Sequence, residues 1–301
     1  MENKHDKKLN FVFWGTPKVA SKTLEMLKEN GYMPSLIITS PDKPQGRKMI
    51  ITPPPVKLWA IKNNIPYLQP EKLERKWESL FTTSSQADEP RKAIFQQENM
   101  RESKKAFPFD LSIVVAYGKI MPENILNFPK LGSINVHYSL LPKYRGASPV
   151  ESAILDGEKE TGVSIQKMEY KMDTGDILAE EKTVIEKTEK AEELKERLVK
   201  IGGELLVKIL PDFINGKIIP KKQNETEATF CKKIKKEDGL IDLNDDGEKN
   251  YNEFRAYTHW PRTYFIKNGK RIIITDAILE NGNFVIKKVI PEGKNEMEYK
   301  G

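Results

Sequence analysis

Asn135 and His137 are the residues in this 301-residue chain whose types and spacing best suit chemistry. They lie two positions apart at the carboxyl end of the apolar run GSINVHY. In a strand both side chains therefore leave the same face, toward the edge where open α/β sheets hold ligands. An amide beside an imidazole fits acyl transfer to an amine. Negative charge develops on the carbonyl oxygen, where an amide N–H can donate, and a proton leaves the attacking nitrogen, which a histidine can take near neutral pH. The chain has only three histidines, one of them His5 at the amino terminus. A lone histidine at a strand end is more often structural than catalytic, so His137 needs a partner. Asp173, in the turn Met-Asp-Thr-Gly-Asp, is expected to supply it, because a carboxylate beside the ring orients it and stabilises its charged form.

The acceptor amine is itself the nucleophile once neutral, so no covalent intermediate is needed. No GxSxG elbow occurs, and the single cysteine, Cys231, falls in a polar connector, which argues against an acyl-enzyme. The turn SLLPKYRG, with Pro142 and Gly146, follows directly on the catalytic strand and suits a binding loop. One cysteine excludes an internal disulfide and a cysteine-based zinc cluster, and the scattered histidines offer no ligand set, so no metal is expected. Gly15 in FWGTP marks a strand-to-helix turn without GxGxxG or a P-loop, which speaks against NAD and ATP.

Positioning these residues requires a sheet. LNFVFWG, PSLIITS, LSIVVAYG and GSINVHY read as buried strands alternating with amphipathic stretches, the pattern of a parallel sheet covered by helices on both faces. Residues 17–30 predict a helix with Val19, Leu24, Met26 and Leu27 apolar, ended by Asn30-Gly31. Residues 53–64 predict a second, with Val56, Leu58, Trp59, Ala60 and Ile61 apolar. Residues 190–215 predict a long third, with Leu194, Leu198, Ile201, Leu205, Leu206, Ile209 and Phe213 at helical spacing. The segment Thr82 to Phe107 is polar and weakly periodic and reads as an exposed insertion. After a lysine-rich connector the character changes, and Asn268-Gly269 and Asn281-Gly282 divide three β-rich runs into a small meander or barrel. The expected division is a catalytic domain over 1–215, a linker over 216–231 and a second domain over 232–301.

The net charge of +6 permits a polyanionic partner without requiring one, and 38% hydrophobic with 31% charged residues is ordinary for a globular protein. No run reaches the roughly 18 apolar residues of a membrane helix. The start MENKHDKKLN leads straight into FVFWG without a signal-peptide pattern. The reading is a cytoplasmic protein without membrane association, and a monomer.

Asn135-Val136-His137, Ser139-Leu140-Leu141-Pro142, Arg145-Gly146 and Asp173-Thr174-Gly175 together resemble the signature of the 10-formyltetrahydrofolate-dependent formyltransferases. The resemblance implies a Rossmann-like α/β domain, 10-formyltetrahydrofolate as formyl donor, and Asn135, His137 and Asp173 as catalytic residues. Ser139, Leu140, Leu141 and Pro142, with Tyr117 and Gly118, would line the folate site. FWGTP and the loop SPDKPQGRKMIITPPPVKLWA are similar to the family members that act on methionyl-tRNA. That likeness implies charged initiator methionyl-tRNA as acceptor, Lys43, Arg47 and Lys48 as tRNA contacts, and an OB-like β-barrel at the carboxyl terminus, where His259-Trp260-Pro261 matches. A solvated surface loop is the plainer reading of those basic residues, as it is for Lys232, Lys233, Lys235 and Lys236. Two rival functions remain: a formyltransferase for nucleotide-linked amino sugars, and a tRNA-binding protein with an inactive site.

Overall fold

A computed structural model describes residues 9–46, 48–73 and 109–300. Its elements in chain order are β1 (Phe11–Gly15), α1 (Lys18–Glu29), β2 (Leu36–Ile38), β3 (Lys43–Gln45), β4 (Ile50–Thr52), α2 (Pro55–Lys62), β5 (Tyr67–Leu68), β6 (Leu111–Val115), α3 (Glu123–Leu126) and β7 (Ser133–His137). There follow β8 (Arg145–Gly146), α4 (Pro149–Leu155), β9 (Glu160–Lys167), β10 (Ile177–Val184), α5 (Ala191–Ile214), β11 (Phe230–Cys231), α6 (Gly247–Ala256), β12 (Tyr264–Lys267), β13 (Lys270–Glu280), β14 (Asn283–Pro291) and β15 (Met297–Glu298). The chain divides into two compact units. The first takes Met1–His137, Ser164–Ala179 and Val199–Gln223, and the second Tyr138–Val163, Glu180–Leu198 and Asn224–Gly301.

The first unit is built on the expected α/β sheet, whose seven strands run in the order β10-β9-β7-β6-β1-β2-β5. The pairs β1–β2, β1–β6, β2–β5 and β6–β7 are parallel, whereas β7 and β9 are antiparallel. Every residue of β1 and β6 is buried, which explains their continuous apolar character: a parallel strand covered on both faces has no polar side. Trp14 is fully buried among Val12, Leu36, Ile38, Val114 and Tyr117 and donates from Nε1 to Ser112 Oγ at 3.2 Å.

The helices form where periodicity places them, with some differences in facing. The buried face of α1 is Ala20, Thr23, Leu24 and Leu27. Val19 and Met26, expected on that stripe, are half-buried. The space above Gly203, on α5, is filled by the Met26 side chain. On α2 Val56, Trp59 and Ala60 are buried while Leu58 and Ile61 are exposed, because eight residues turn only part of their circumference inward. The third helix, α5, spans the expected stretch. No helix among the described residues is long and apolar enough to cross a membrane. The polar segment Thr82 to Phe107 and Trp77 lie outside the described residues.

The second unit ends in an antiparallel sheet of order β12-β13-β14-β15 packed under α6. Its core joins Ile241, Tyr251, Phe254, Phe265, Ile274, Ala277 and Val289. Two of the hairpin turns take positive φ at both central residues, Asn268 and Gly269 at 51° and 71°, Asn281 and Gly282 at 50° and 79°. That is the backbone that Asn-Gly favours at a two-residue connection.

Replacing Trp14 by Ala removes the largest fully buried side chain of the central sheet and leaves Ser112 Oγ without that donor. The expected loss is roughly 3–5 kcal/mol of stability, read as a lowered denaturant midpoint in urea unfolding.

Candidate active site

The first unit brings the sequence-predicted acid–base pair together. The pairing of β7 with β9 sets Asn135 opposite Gln166 and His137 opposite Ser164. After β9 the chain turns through Met172 to Gly175 and re-enters the sheet at β10. Asp173 sits in this turn with φ of 55°, and its Oδ2 lies 3.8 Å from His137 Nδ1. The imidazole is 6% exposed and Asp173 13% exposed, so an ion pair formed here is shielded from water. Asn135, half-buried, leaves β7 on the same side as His137.

Two amide side chains that the sequence did not single out complete this arrangement. Gln166, 1% exposed, donates from Nε2 to Asp173 Oδ1 at 2.9 Å. Gln223 donates from Nε2 to the backbone oxygens of Asp173 at 2.9 Å and Gly175 at 2.7 Å, and lies 3.3 Å from Gln166 Oε1. Gln223 belongs to a polar connector whose composition carries no sign of a site. Gln166 had one available signal: a glutamine inside the strand TGVSIQK, on the alternation that puts it level with Asn135. Gly175 is fixed by a close approach, since a Cβ there would meet Lys167 O at 1.8 Å.

Tyr117 and Gly118 lie in the turn after β6. The Tyr117 ring is 3% exposed and meets Trp14 edge-on at 5.3 Å, and its burial pushes the phenol pKa far up. Gly118 is exposed with φ of 77°. The Tyr117 carbonyl accepts from Thr16 Oγ1 at 3.2 Å, tying this turn to the end of β1.

The basic loop is a hairpin of β3 and β4. Lys43 and Lys48 are exposed, as are Met49, Ile50 and Ile51, while Arg47 lies outside the described residues. The hairpin is anchored at its root: Asp42 takes both oxygens to Lys57 Nζ at 2.9 and 2.7 Å, and Gln69 Nε2 donates to Asp42 Oδ1 at 2.7 Å. The Gln69 amide and the Lys57 ammonium hold the Asp42 carboxyl below its ordinary pKa. Lys119, which sequence reasoning passed over, donates to the carbonyls of Pro70 and Glu71 at 2.6 and 2.9 Å. Desolvation and Lys43 lower its pKa.

In the second unit Ser139 is fully buried and its hydroxyl donates to Lys143 O at 2.6 Å. Leu141 is also buried, and Leu140 and Pro142 are half-buried. Arg145, 1% exposed, forms a two-pronged pair with Glu225 at 2.9 and 2.7 Å. Tyr144 hydrogen-bonds Asp156 at 2.9 Å. Cys231 is buried, accepting from Ser148 N at 3.4 Å. His259 is exposed and pairs with Glu192 at 3.0 Å.

Comparison with known proteins settles the family. Residues 7–210 match the family described as Formyl transferase, and residues 233–297 match Formyl transferase, C-terminal domain. The chain belongs to the formyl transferase family. Similar relatives are named methionyl-tRNA formyltransferase. That of Bacillus licheniformis is 40% identical over 266 residues, 88% of this chain and 77% of the relative. That of Sulfurihydrogenibium sp. is 39% identical over 269 residues, 89% of this chain and 80% of the relative. Among solved structures, the methionyl-tRNA formyltransferase from Clostridium thermocellum shares the fold with a TM-score of 0.57 at 19% identity, over 97% of this chain and 100% of that one. This formyl transferase is therefore an enzyme, as its sequence leads one to expect.

Substituting Gly175 by Ala in this formyl transferase forces its backbone away from Lys167 O. The expected destabilisation is roughly 1–3 kcal/mol, seen as a lowered melting temperature, and an unchanged melting curve would contradict the close approach.

Proposed function

We propose that this formyl transferase moves the formyl group of 10-formyltetrahydrofolate onto the α-amine of methionyl initiator tRNA. The observation that carries the reading is the His137 Nδ1 to Asp173 Oδ2 approach of 3.8 Å, beside Asn135 on the same strand face. The methionyl amine attacks the formyl carbon, and Asn135 donates a hydrogen bond to the oxygen on which charge collects. Neutral His137 takes the proton from the attacking nitrogen, and Asp173 stabilises the resulting imidazolium. The bond from the formyl carbon to the folate nitrogen then breaks. The proton on His137 passes to that nitrogen, and tetrahydrofolate departs. A gap of 3.8 Å exceeds a hydrogen bond, as is common before substrate tightens such a site.

Ser139, Leu140, Leu141 and Pro142, with Tyr117 and Gly118, are assigned to the folate side. Lys43, Arg47 and Lys48 are assigned to tRNA phosphates, on a hairpin whose root is pinned by Asp42, Lys57 and Gln69. The same reading divides the chain into a catalytic domain over 1–215, a linker over 216–231 and a tRNA-binding domain over 232–301, acting as a cytoplasmic monomer. Neither an amino-sugar acceptor nor an inactive tRNA-binding protein fits relatives that are named for methionyl-tRNA.

The direct experiment supplies 10-formyltetrahydrofolate with charged initiator and charged elongator methionyl-tRNA. Formylation of the initiator species alone is expected, and turnover of a nucleotide-linked amino sugar instead would replace the acceptor. Asn135→Ala should lower kcat by about 10²–10³ with substrate binding little changed. Equal turnover in Asn135→Ala, His137→Ala and the parent would remove the mechanism. Lys43→Ala and Lys48→Ala should each raise KM for the tRNA and lower its salt slope by about one, with kcat preserved.

A further inference from the structure

We propose that Gln166 and Gln223 are positioning residues that aim the Asp173 carboxylate at His137 through a chain of side-chain amides. The inference rests on the role given above to Asp173. A carboxylate turns readily about its terminal bond, so a histidine partner holds its orientation only if its second oxygen is fixed. Here Oδ1 of Asp173 accepts from Gln166 Nε2 at 2.9 Å, which leaves Oδ2 as the atom nearest His137 Nδ1. Gln166 is in turn held at both ends of its amide. It lies opposite Asn135 in the β7–β9 ladder, and its Oε1 is 3.3 Å from Gln223 Nε2.

Gln223 acts on the backbone of the same turn. Its bonds to Asp173 O and Gly175 O clasp the turn in which Asp173 occupies the left-handed region. A non-glycine residue there costs free energy that surrounding contacts must offset, and a half-buried amide spanning two carbonyls is such a contact. Gln166 stands at a position 1% exposed, between Ile165 and Lys167 of β9, where an apolar side chain would satisfy packing at lower desolvation cost. Its polarity is explained by the carboxylate it holds. Through Gln223 the connector also brings the chain back from α5 to the turn beside the catalytic histidine.

The test measures steady-state formyl transfer to methionyl-tRNA in Gln166→Met, Gln223→Met, Asp173→Ala and the Gln166→Met/Asp173→Ala double variant, with a melting curve for each. Gln166→Met keeps length and volume and removes the donor. It should lower kcat roughly 10- to 100-fold with KM for both substrates nearly constant, as a displaced catalytic group does. Gln223→Met should act in the same sense. Placed on Asp173→Ala, the Gln166→Met change should cost no more than about twofold, because the group it positions is gone.

Losses that multiply in the double variant would overturn the inference, since a side chain serving only stability does not act through Asp173. So would a Gln166→Met enzyme with parental kcat. If Gln166→Met does not fold, the isosteric Gln166→Glu, which lacks the donor and repels Asp173, is expected to lose at least as much turnover. If neither folds, the Gln223→Met/Asp173→Ala pair decides on the same non-additivity. Parental kcat in Asp173→Ala would instead refute the role of Asp173 itself. An impaired Asp173→Ala with multiplying losses would sink the positioning role alone.

Discussion

The antiparallel pairing of β7 with β9 is the constraint on which the rest of this site depends. It sets β9 against the direction of β7, so that residues far apart in sequence face each other with a side-chain period of two. One register places Asn135 against Gln166 and His137 against Ser164. A slip of β9 by one residue would send Gln166 and Ser164 to the opposite face of the sheet, away from Asn135 and His137. The same reversal lets the chain leave β9, make the Asp173 turn and return along β10, which delivers a carboxylate to the histidine from outside the strand that carries it.

The energetics of the first unit protect that register. β1 and β6 are buried throughout, and the aromatic and aliphatic side chains packed around Trp14 tie β1, β2 and β6 into one core. Several polar groups in and beside this shell are bonded: Trp14 to Ser112, Thr16 to the Tyr117 carbonyl, Gln166 to Asp173. Desolvation favours such partnered groups over solitary ones, so these bonds hold the geometry of the residues that make them. The hairpin of β3 and β4 is different in kind. It exposes Met49, Ile50 and Ile51 together with basic side chains, and its root is bound through Asp42. A surface built that way suits a large, charged partner better than a small one.

The second unit relies on local chemistry to a greater extent. Its hairpins are written in Asn-Gly pairs that take the backbone the turns require, and Asp246 caps α6 by accepting from Lys249 N at 2.9 Å. The segment that opens this unit is held by pairing of β8 with β11 and by the buried Arg145 guanidinium on Glu225. Residues of the connector therefore serve both units, Gln223 in the first and Glu225 in the second.

The sequence by itself determined a good deal. Continuous apolar runs announced buried parallel strands, helical spacing announced α5, Asn-Gly pairs announced two of the turns, and the strand GSINVHY with the downstream Asp173 announced the approach of Asp173 to His137. Each of those signals is local, carried by residue type and by periods of two or 3.6 that the backbone imposes. The tertiary structure decided what those periods leave open. It turned Leu58 and Ile61 of α2 outward and set Met26 over Gly203, because facing depends on which neighbour arrives. It also made Gln166 and Gln223 partners of Asp173 across 50 residues of chain, counted from Asp173 to Gln223. A glutamine in a strand and another in a polar connector carry no local mark of that meeting. Only strand reversal and the return of the chain after α5 bring their amides within hydrogen-bonding distance of one turn.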